Sequence, residues 1–328
     1  WWLAPAQRRP VRRILVTRAM GGIGDLLMMT PGLSALARKY PQAAIDLAIP
    51  KSFHAIFEGF QAVRLLDVNE DQIDLSDYHR WINLTDCPAG RVESKQYPNV
   101  RRNRIEIFAH AMGISRRRLR NTVGLLPYYQ VTQEEQNWAK SYLNGLNTGE
   151  IPVIGVQPFA ADTYRNWPYM EKLVGELSKS ALVLVFHGDS LSGYEFKNVA
   201  KISLPLRQSV ALASQCSRLI VPDSSFLHFS AALGIPTVAI FGAISGKLRT
   251  GSYPNVHLLA PRKDEFPCYP CWRHEYKPCH LTNGRESICF RSISVEQVIE
   301  ALHSDRSKNP QRVGLWQRLR TWVFYGYR

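Results

Sequence analysis

Residues 221–242, VPDSSFLHFSAALGIPTVAIFG, place a carboxylate, two hydroxyls and an imidazole between two apolar runs. Asp223, Ser224 and Ser225 fall where a short strand ends and a helix starts, and His228 follows one turn later. N–H groups at a helix start have no partner within the helix and point outward, which favours an anion. Either Asp223 or Ser224 alone would read as a helix cap; together with His228 they read as a ligand site. A second loop of this kind is QPFAADTYRNWP, residues 157–168, which carries Thr163 and Arg165. The planar guanidinium fork is a strong phosphate ligand. Arg165, Ser224 and the helix start before His228 would form a diphosphate clamp.

A third place is GGIGD, residues 21–25. Gly22 and Gly24 suit tight packing or an unusual backbone turn. Asp25 then stands at the edge of a cleft, where a carboxylate can take a proton from a hydroxyl. The turn lacks the full GxGxxG pattern and a following ribose carboxylate, which argues against a nicotinamide enzyme. The fourth place is FPCYPCWRHEYKPCHLTNGRESICF, with Cys268, Cys271, Cys279 and Cys289. Four thiolates at these spacings suit a closed, tetrahedral structural ion, with zinc as the default and iron also admitted by sulfur. The alternative is four reduced thiols in a loop. Cys87 and Cys216 stand alone in apolar contexts and read as core thiols.

The elements that would position these residues repeat one grammar. RILVT, AIDLAIP, VRLLDV and RWINLTD read as strands, and Arg104–Ile114 reads as a helix with a glycine stop. The helix after GGIGD, roughly Leu26–Tyr40, is expected to break at Pro31, with Thr30 capping a fresh start. Thr132 and Glu135, and later Ser294 and Gln297, have capping-box spacing. IPVIGVQP begins a second run, with ALVLVFHG as a strand and SVALASQC as a helix. Repeated strand and helix imply α/β architecture with mainly parallel sheets and two halves facing across a cleft.

The chain of 328 residues carries 41 Lys and Arg against 27 Asp and Glu, a formal charge of +14. That charge points to anionic partners. The first residues have no long apolar run, so neither a secretory signal nor a membrane span is expected there. Arg8, Arg9, Arg12 and Arg13 form one basic lead, and Arg116, Arg117, Arg118 and Arg120 form another cluster. In the tail, Leu315, Leu319, Trp322 and Val323 share one helical face flanked by Arg318 and Arg320, as in an interfacial helix or a face packed on the first half. No recognisable reading module supports nucleic-acid binding.

The motifs are similar to those of the bacterial heptosyltransferases, glycosyltransferase family nine. GGIGDLLMMTPGLSALARKYP resembles their amino-terminal motif, VIGVQPFAADTYRNWP their second-domain entry loop, and residues 221–242 their DSGxxHxAxAxGxPxxxxFG motif. The resemblance implies a GT-B fold of two Rossmann-like domains. Residues 1–147 would take the acceptor, 148–303 the nucleotide-sugar donor with a cysteine knuckle at 268–289, and 304–328 would be a basic aromatic tail. It implies an inverting transfer of a sugar, foremost heptose from ADP-heptose, to a hydroxyl of a lipopolysaccharide core, a protein or a related acceptor. Asp25 would be the base and Arg165 would hold phosphate. Gly22, Gly24, Thr163, Asp223, Ser224, Ser225 and His228 would line the donor, and Glu195 would reach its ribose. The cysteine cluster resembles the iron-bound finger of members that modify autotransporter proteins. The implied location is cytoplasmic, peripheral on the inner face of the inner membrane. This sequence departs from the family at Ser225, which holds the glycine position, at Arg165, which replaces the commoner lysine, and at AISGK after the FG pair. These departures motivate the alternative of an inactive nucleotide-sugar-binding protein.

Overall fold

The computed structural model describes residues 11–146, 151–187, 191–273 and 276–304. In the first half, β1 (Arg13–Thr17) leads to α1 (Ile23–Lys39), β2 (Ala44–Ile49), β3 (Arg64–Asp67) and β4 (Arg80–Asn83). Four helices follow: α2 (Pro88–Gln96), α3 (Arg104–Ala111), α4 (Arg116–Thr122) and α5 (Gln133–Gly145). The second half begins with β5 (Val153–Val156), α6 (Met170–Leu177), β6 (Leu182–Phe186), β7 (Val199–Ile202) and α7 (Leu206–Gln215). It continues with β8 (Arg218–Val221), α8 (Ser225–Leu233), β9 (Thr237–Ile240), α9 (Gly246–Thr250), β10 (Val256–Leu259) and α10 (Val295–His303). The chain is thus α/β, and both sheets are parallel.

Strand order explains where a ligand fits. The first sheet runs β3-β2-β1-β4 and the second β10-β9-β8-β5-β6-β7. The order reverses beside β1 in one sheet and between β5 and β8 in the other. Crevices open at the carboxyl ends of strands where the order reverses. Asp25 follows β1, Arg165 follows β5 and Asp223 follows β8, so both reversal points are lined by the candidate residues. Inner strands are buried on both faces and are accordingly apolar runs, such as LVLVF in β6, whereas the edge strand β4 is mostly exposed.

One apolar cluster passes through both halves, from Val16, Leu27 and Phe108 to Leu184, Leu212 and Phe229. A second lies beneath α6 and α10 and includes Trp167, Leu173, Val185 and Phe290. A methyl group at Gly242 would lie 2.4 Å from the Phe290 ring, so the glycine admits that ring beside the last cysteine. Both expected capping boxes are present, opening α5 and α10.

One expectation needs correction. Helix α1 does not break at Pro31; it runs unbroken from Ile23 to Lys39. Proline cannot donate to the carbonyl of Leu27. The Thr30 hydroxyl donates to that carbonyl instead at 2.7 Å, and accepts from the Tyr128 N–H at 2.8 Å. Arg13 of the basic lead pairs with Asp46 at 3.2 Å and Asp77 at 3.0 Å. Arg116 and Arg120 both pair with Glu106. Among the described residues no helix is long and apolar enough to cross a membrane. Arg8, Arg9, the boundary at 147–148 and the tail from 305 onward lie outside the described residues.

Candidate active site

The site forms where the starts of α1 and α8 meet. Gly24 is in the first turn of α1, and a Cβ there would stand 3.0 Å from Cδ2 of His228 on α8. Gly21 has φ +133°, and a Cβ there would lie 2.3 Å from Nη2 of Arg18. A side chain at Gly21 would therefore strain the backbone and displace a buried arginine. Gly22 caps α1 through its backbone alone and faces open space.

Asp25 is held on both oxygens. Arg18 Nη2 donates to Oδ2 at 2.9 Å, and Arg104 Nη1 donates to Oδ1 at 2.7 Å. Burial pushes the Asp25 carboxyl up, but Arg104 and Arg18 more than offset it and hold it below the usual aspartate range. Asp25 is therefore ionised across neutral pH. The Cys87 thiol lies 3.5 Å from Oδ2 and donates to it. Cys87 caps α2 with φ +46° and packs, partly buried, against the core as expected, while its thiol also reaches Asp25. Cys216 is a buried core thiol, with its ionisation pushed up by burial.

Across the junction, α8 starts at Ser225, and its cap Ser224 makes no side-chain bond to the helix. The Ser224 hydroxyl donates to the side-chain oxygen of Gln157. Asp223 is buried beside it. Arg165 Nη1 donates to the Asp223 carbonyl at 2.8 Å and lies 3.6 Å from its carboxylate, while Nη2 pairs with Asp162. Arg165 Nε is buried without a partner. Burial lowers the basicity of Arg165, and Asp223, Tyr164 and Asp162 raise it to a net increase. Thr163 is exposed on the same turn. Glu195 is exposed and paired with Lys201.

His228 is 2 % exposed, with Nδ1 2.9 Å from the Tyr253 hydroxyl. Burial pushes its pKa down from 6.5 to about 4, with Asp223 partly opposing the shift. A neutral imidazole thus sits in the first turn of α8. The unfolded chain binds this proton below pH 6.5, whereas the folded chain does not until about pH 4. The stability linked to His228 is therefore complete above 6.5 and is lost progressively as pH falls toward 4. Going from about pH 7 to pH 5 should cost about 2 kcal/mol. Thermal unfolding of the parent and of His228→Gln across that range checks this, because the variant should lack the dependence.

The four clustered cysteines are free, with Cys268 exposed and Cys279 and Cys289 buried. Among the described residues no three His, Cys, Asp or Glu side chains gather as a metal-ligand group. The thiols are nonetheless electrostatic neighbours. Burial raises Cys289 to about 12, with Cys271, Cys279 and Cys268 adding to the shift. Burial also raises Cys279, but N–H groups of Ile288, Leu281 and Thr282 bring it below the usual thiol range. N–H groups aimed at sulfur favour thiolate, the form a metal takes.

Sequence reasoning missed Arg18, Glu93, Arg104, Arg249 and Tyr253. Four of these five form or extend the setting of Asp25, but in sequence they are single charges far apart. A cavity of about 430 Å³ lies between the two halves, lined by Tyr97, Arg101, Lys263, Cys268, Tyr269 and His280 among others.

The model for glycosyltransferase family 9 (heptosyltransferase) matches residues 84–277, more than half of the chain. The chain belongs to glycosyltransferase family 9. No curated protein sequence matches this family-9 chain closely enough to count. Its fold is similar to that of the ADP-heptose LPS heptosyltransferase II of E. coli, with TM-score 0.64, 19% identity, and 88% of this chain and 97% of that one covered. A family 9 glycosyltransferase from Veillonella parvula DSM 2008 gives TM-score 0.63 at 19% identity, covering 88% and 95%. The iron-containing dodecameric heptosyltransferase TibC of enterotoxigenic E. coli H10407, in complex with ADP-D-beta-D-heptose, gives TM-score 0.62 at 15% identity, covering 90% and 76%. The two parallel sheets of this glycosyltransferase are thus the two Rossmann-like halves of a GT-B-like fold.

Proposed function

We propose that this family-9 glycosyltransferase moves heptose from ADP-heptose to an acceptor hydroxyl by a single inverting displacement, with Asp25 as base. The observation that carries this reading is the meeting of two helix starts: an ionised Asp25 on α1 faces the uncapped start of α8. ADP-heptose is the donor named for two of the similar structures. The diphosphate sits at the start of α8, where N–H groups, Ser224, Ser225 and the Arg165 turn meet its charge as the sugar leaves. Thr163 and Asp223 line the same place. The acceptor hydroxyl gives its proton to Asp25 as its oxygen attacks the anomeric carbon from the face opposite the diphosphate. The acceptor enters by the 430 Å³ cavity, where Arg101 and Lys263 favour an acceptor bearing an anionic group.

The chemistry of Cys268, Cys271, Cys279 and Cys289 fits a structural zinc or iron ion, which would tie the cysteine loop to the donor half and take no part in transfer. Elemental analysis of protein purified without chelator tests this, and a metal-free product with six titratable thiols would refute it. The peripheral membrane location rests on the tail composition, and vesicle cosedimentation with and without residues 305–328 decides it. The transfer itself is tested with a panel of nucleotide sugars and the mass of the products on glycolipid and protein acceptors. Addition of one heptose from ADP-heptose supports the reading. Donor binding with no transfer to any acceptor would favour the inactive binding protein.

A further inference from the structure

A chain of buried charges crosses from the first half to the second. Glu93 on α2 is 5 % exposed. Its Oε1 and Oε2 accept from Nε and Nη2 of Arg104 at 2.9 and 2.6 Å. Oε1 also accepts from Nη1 of Arg249 on α9 at 2.8 Å. Arg104 directs its remaining terminal nitrogen, Nη1, to Asp25 at 2.7 Å. Arg249 is 5 % exposed and lies over the Trp272 ring, 5.1 Å from its centroid. Beside this chain, Asn103 Nδ2 donates to the Leu248 carbonyl at 2.8 Å, joining the same two halves.

Buried ion pairs contribute little net stability, because desolvation offsets their attraction. Their placement here suggests another use. Asp25 is faced by Arg18 after β1, Cys87 before α2, Arg104 on α3, and His228 and Arg249 from the donor half. Three guanidiniums thus surround Asp25, and Glu93 is the carboxylate bonded to two of them. An excess of positive charge keeps Asp25 ionised but makes it a weaker base, and a weaker base removes the acceptor proton more slowly.

We infer that Glu93 and Arg249 are positioning residues for the transfer reaction: Glu93 holds Arg104 against Asp25 and balances the charge that Arg249 brings from the donor half. Joining the halves then places Arg249 and completes the setting of the base. This inference rests on Asp25 being the base.

The test compares kcat and donor Kd, at neutral pH, for the parent and for E93Q, R249Q and the double variant. E93Q leaves three arginines facing one carboxylate, and should lower kcat on the order of 10-fold with donor Kd within about threefold. The double variant restores the parent's net charge, and its kcat should return to within about threefold of the parent. R249Q should move the acid limb of the kcat profile upward, because a positive charge near Asp25 is lost. An ion pair that only fastens the halves would leave the double variant as slow as E93Q and the acid limb of R249Q unmoved; either result overturns the inference. Should E93Q not fold, the acid limb of R249Q decides alone. Asp25→Asn, assayed alongside, separates the two ideas. Parental turnover in that variant would defeat the base assignment itself, whereas a slow Asp25→Asn with no rescue in the double variant would defeat only the charge balance.

Discussion

Asp25→Asn lowers turnover by about 100-fold or more while leaving donor Kd within about threefold, the scale expected when a general base is lost. Asparagine keeps the size of the side chain and one acceptor oxygen. It can still take a hydrogen bond from Arg18 or Arg104, but it cannot take a proton. Removing the charge also leaves two guanidiniums with less compensation, and breaking a buried pair can cost about 3–5 kcal/mol. Thermal unfolding and donor calorimetry on the same preparation keep this stability loss apart from the chemical step. Turnover within about twofold of the parent would remove Asp25 from the reaction.

Arg165→Ala raises the Kd for the nucleoside diphosphate on the order of 10- to 150-fold, the range set by charge-assisted hydrogen bonds of about 1.5–3 kcal/mol. Free nucleoside should be held within about twofold of the parent, because it has no phosphate for the guanidinium to meet. The guanidinium already braces the Asp223 carbonyl, so it also sets the shape of the turn before α8. Arg165→Lys should recover part of the loss through charge, though without the planar fork. Calorimetry with both ligands checks the pair of variants. Equal weakening of nucleoside and nucleoside diphosphate would reduce Arg165 to a brace of that turn.

Most strands, though not β7 and β10, and both capping boxes were legible because each rests on neighbours in sequence. Burial gives β6 its continuous apolar run, and the Thr132–Glu135 spacing alone predicts the box that opens α5. Pro31 was misread because its compensation is partly distant: Thr30 satisfies the Leu27 carbonyl, while Tyr128 binds the same hydroxyl from 98 residues away. The setting of Asp25 was hidden for a related reason. Arg18, Arg104 and Arg249 are three of 41 basic residues, and their meeting depends on how β1, α3 and α9 pack. The contact of the Cys87 thiol with Asp25 was hidden because its neighbours in sequence gave no sign of a carboxylate 3.5 Å from its sulfur. Glu195 was placed by a loose similarity, and in the fold its charge is directed to Lys201.

The central claim is a direct displacement at the anomeric carbon, with the hydroxyl activated by Asp25 and no covalent sugar on the protein. The anomeric configuration of the product, read by NMR after transfer from a donor of known configuration, tests it most directly. The account predicts a product whose anomeric centre is opposite to that of the donor. A product that keeps the donor's configuration would contradict it.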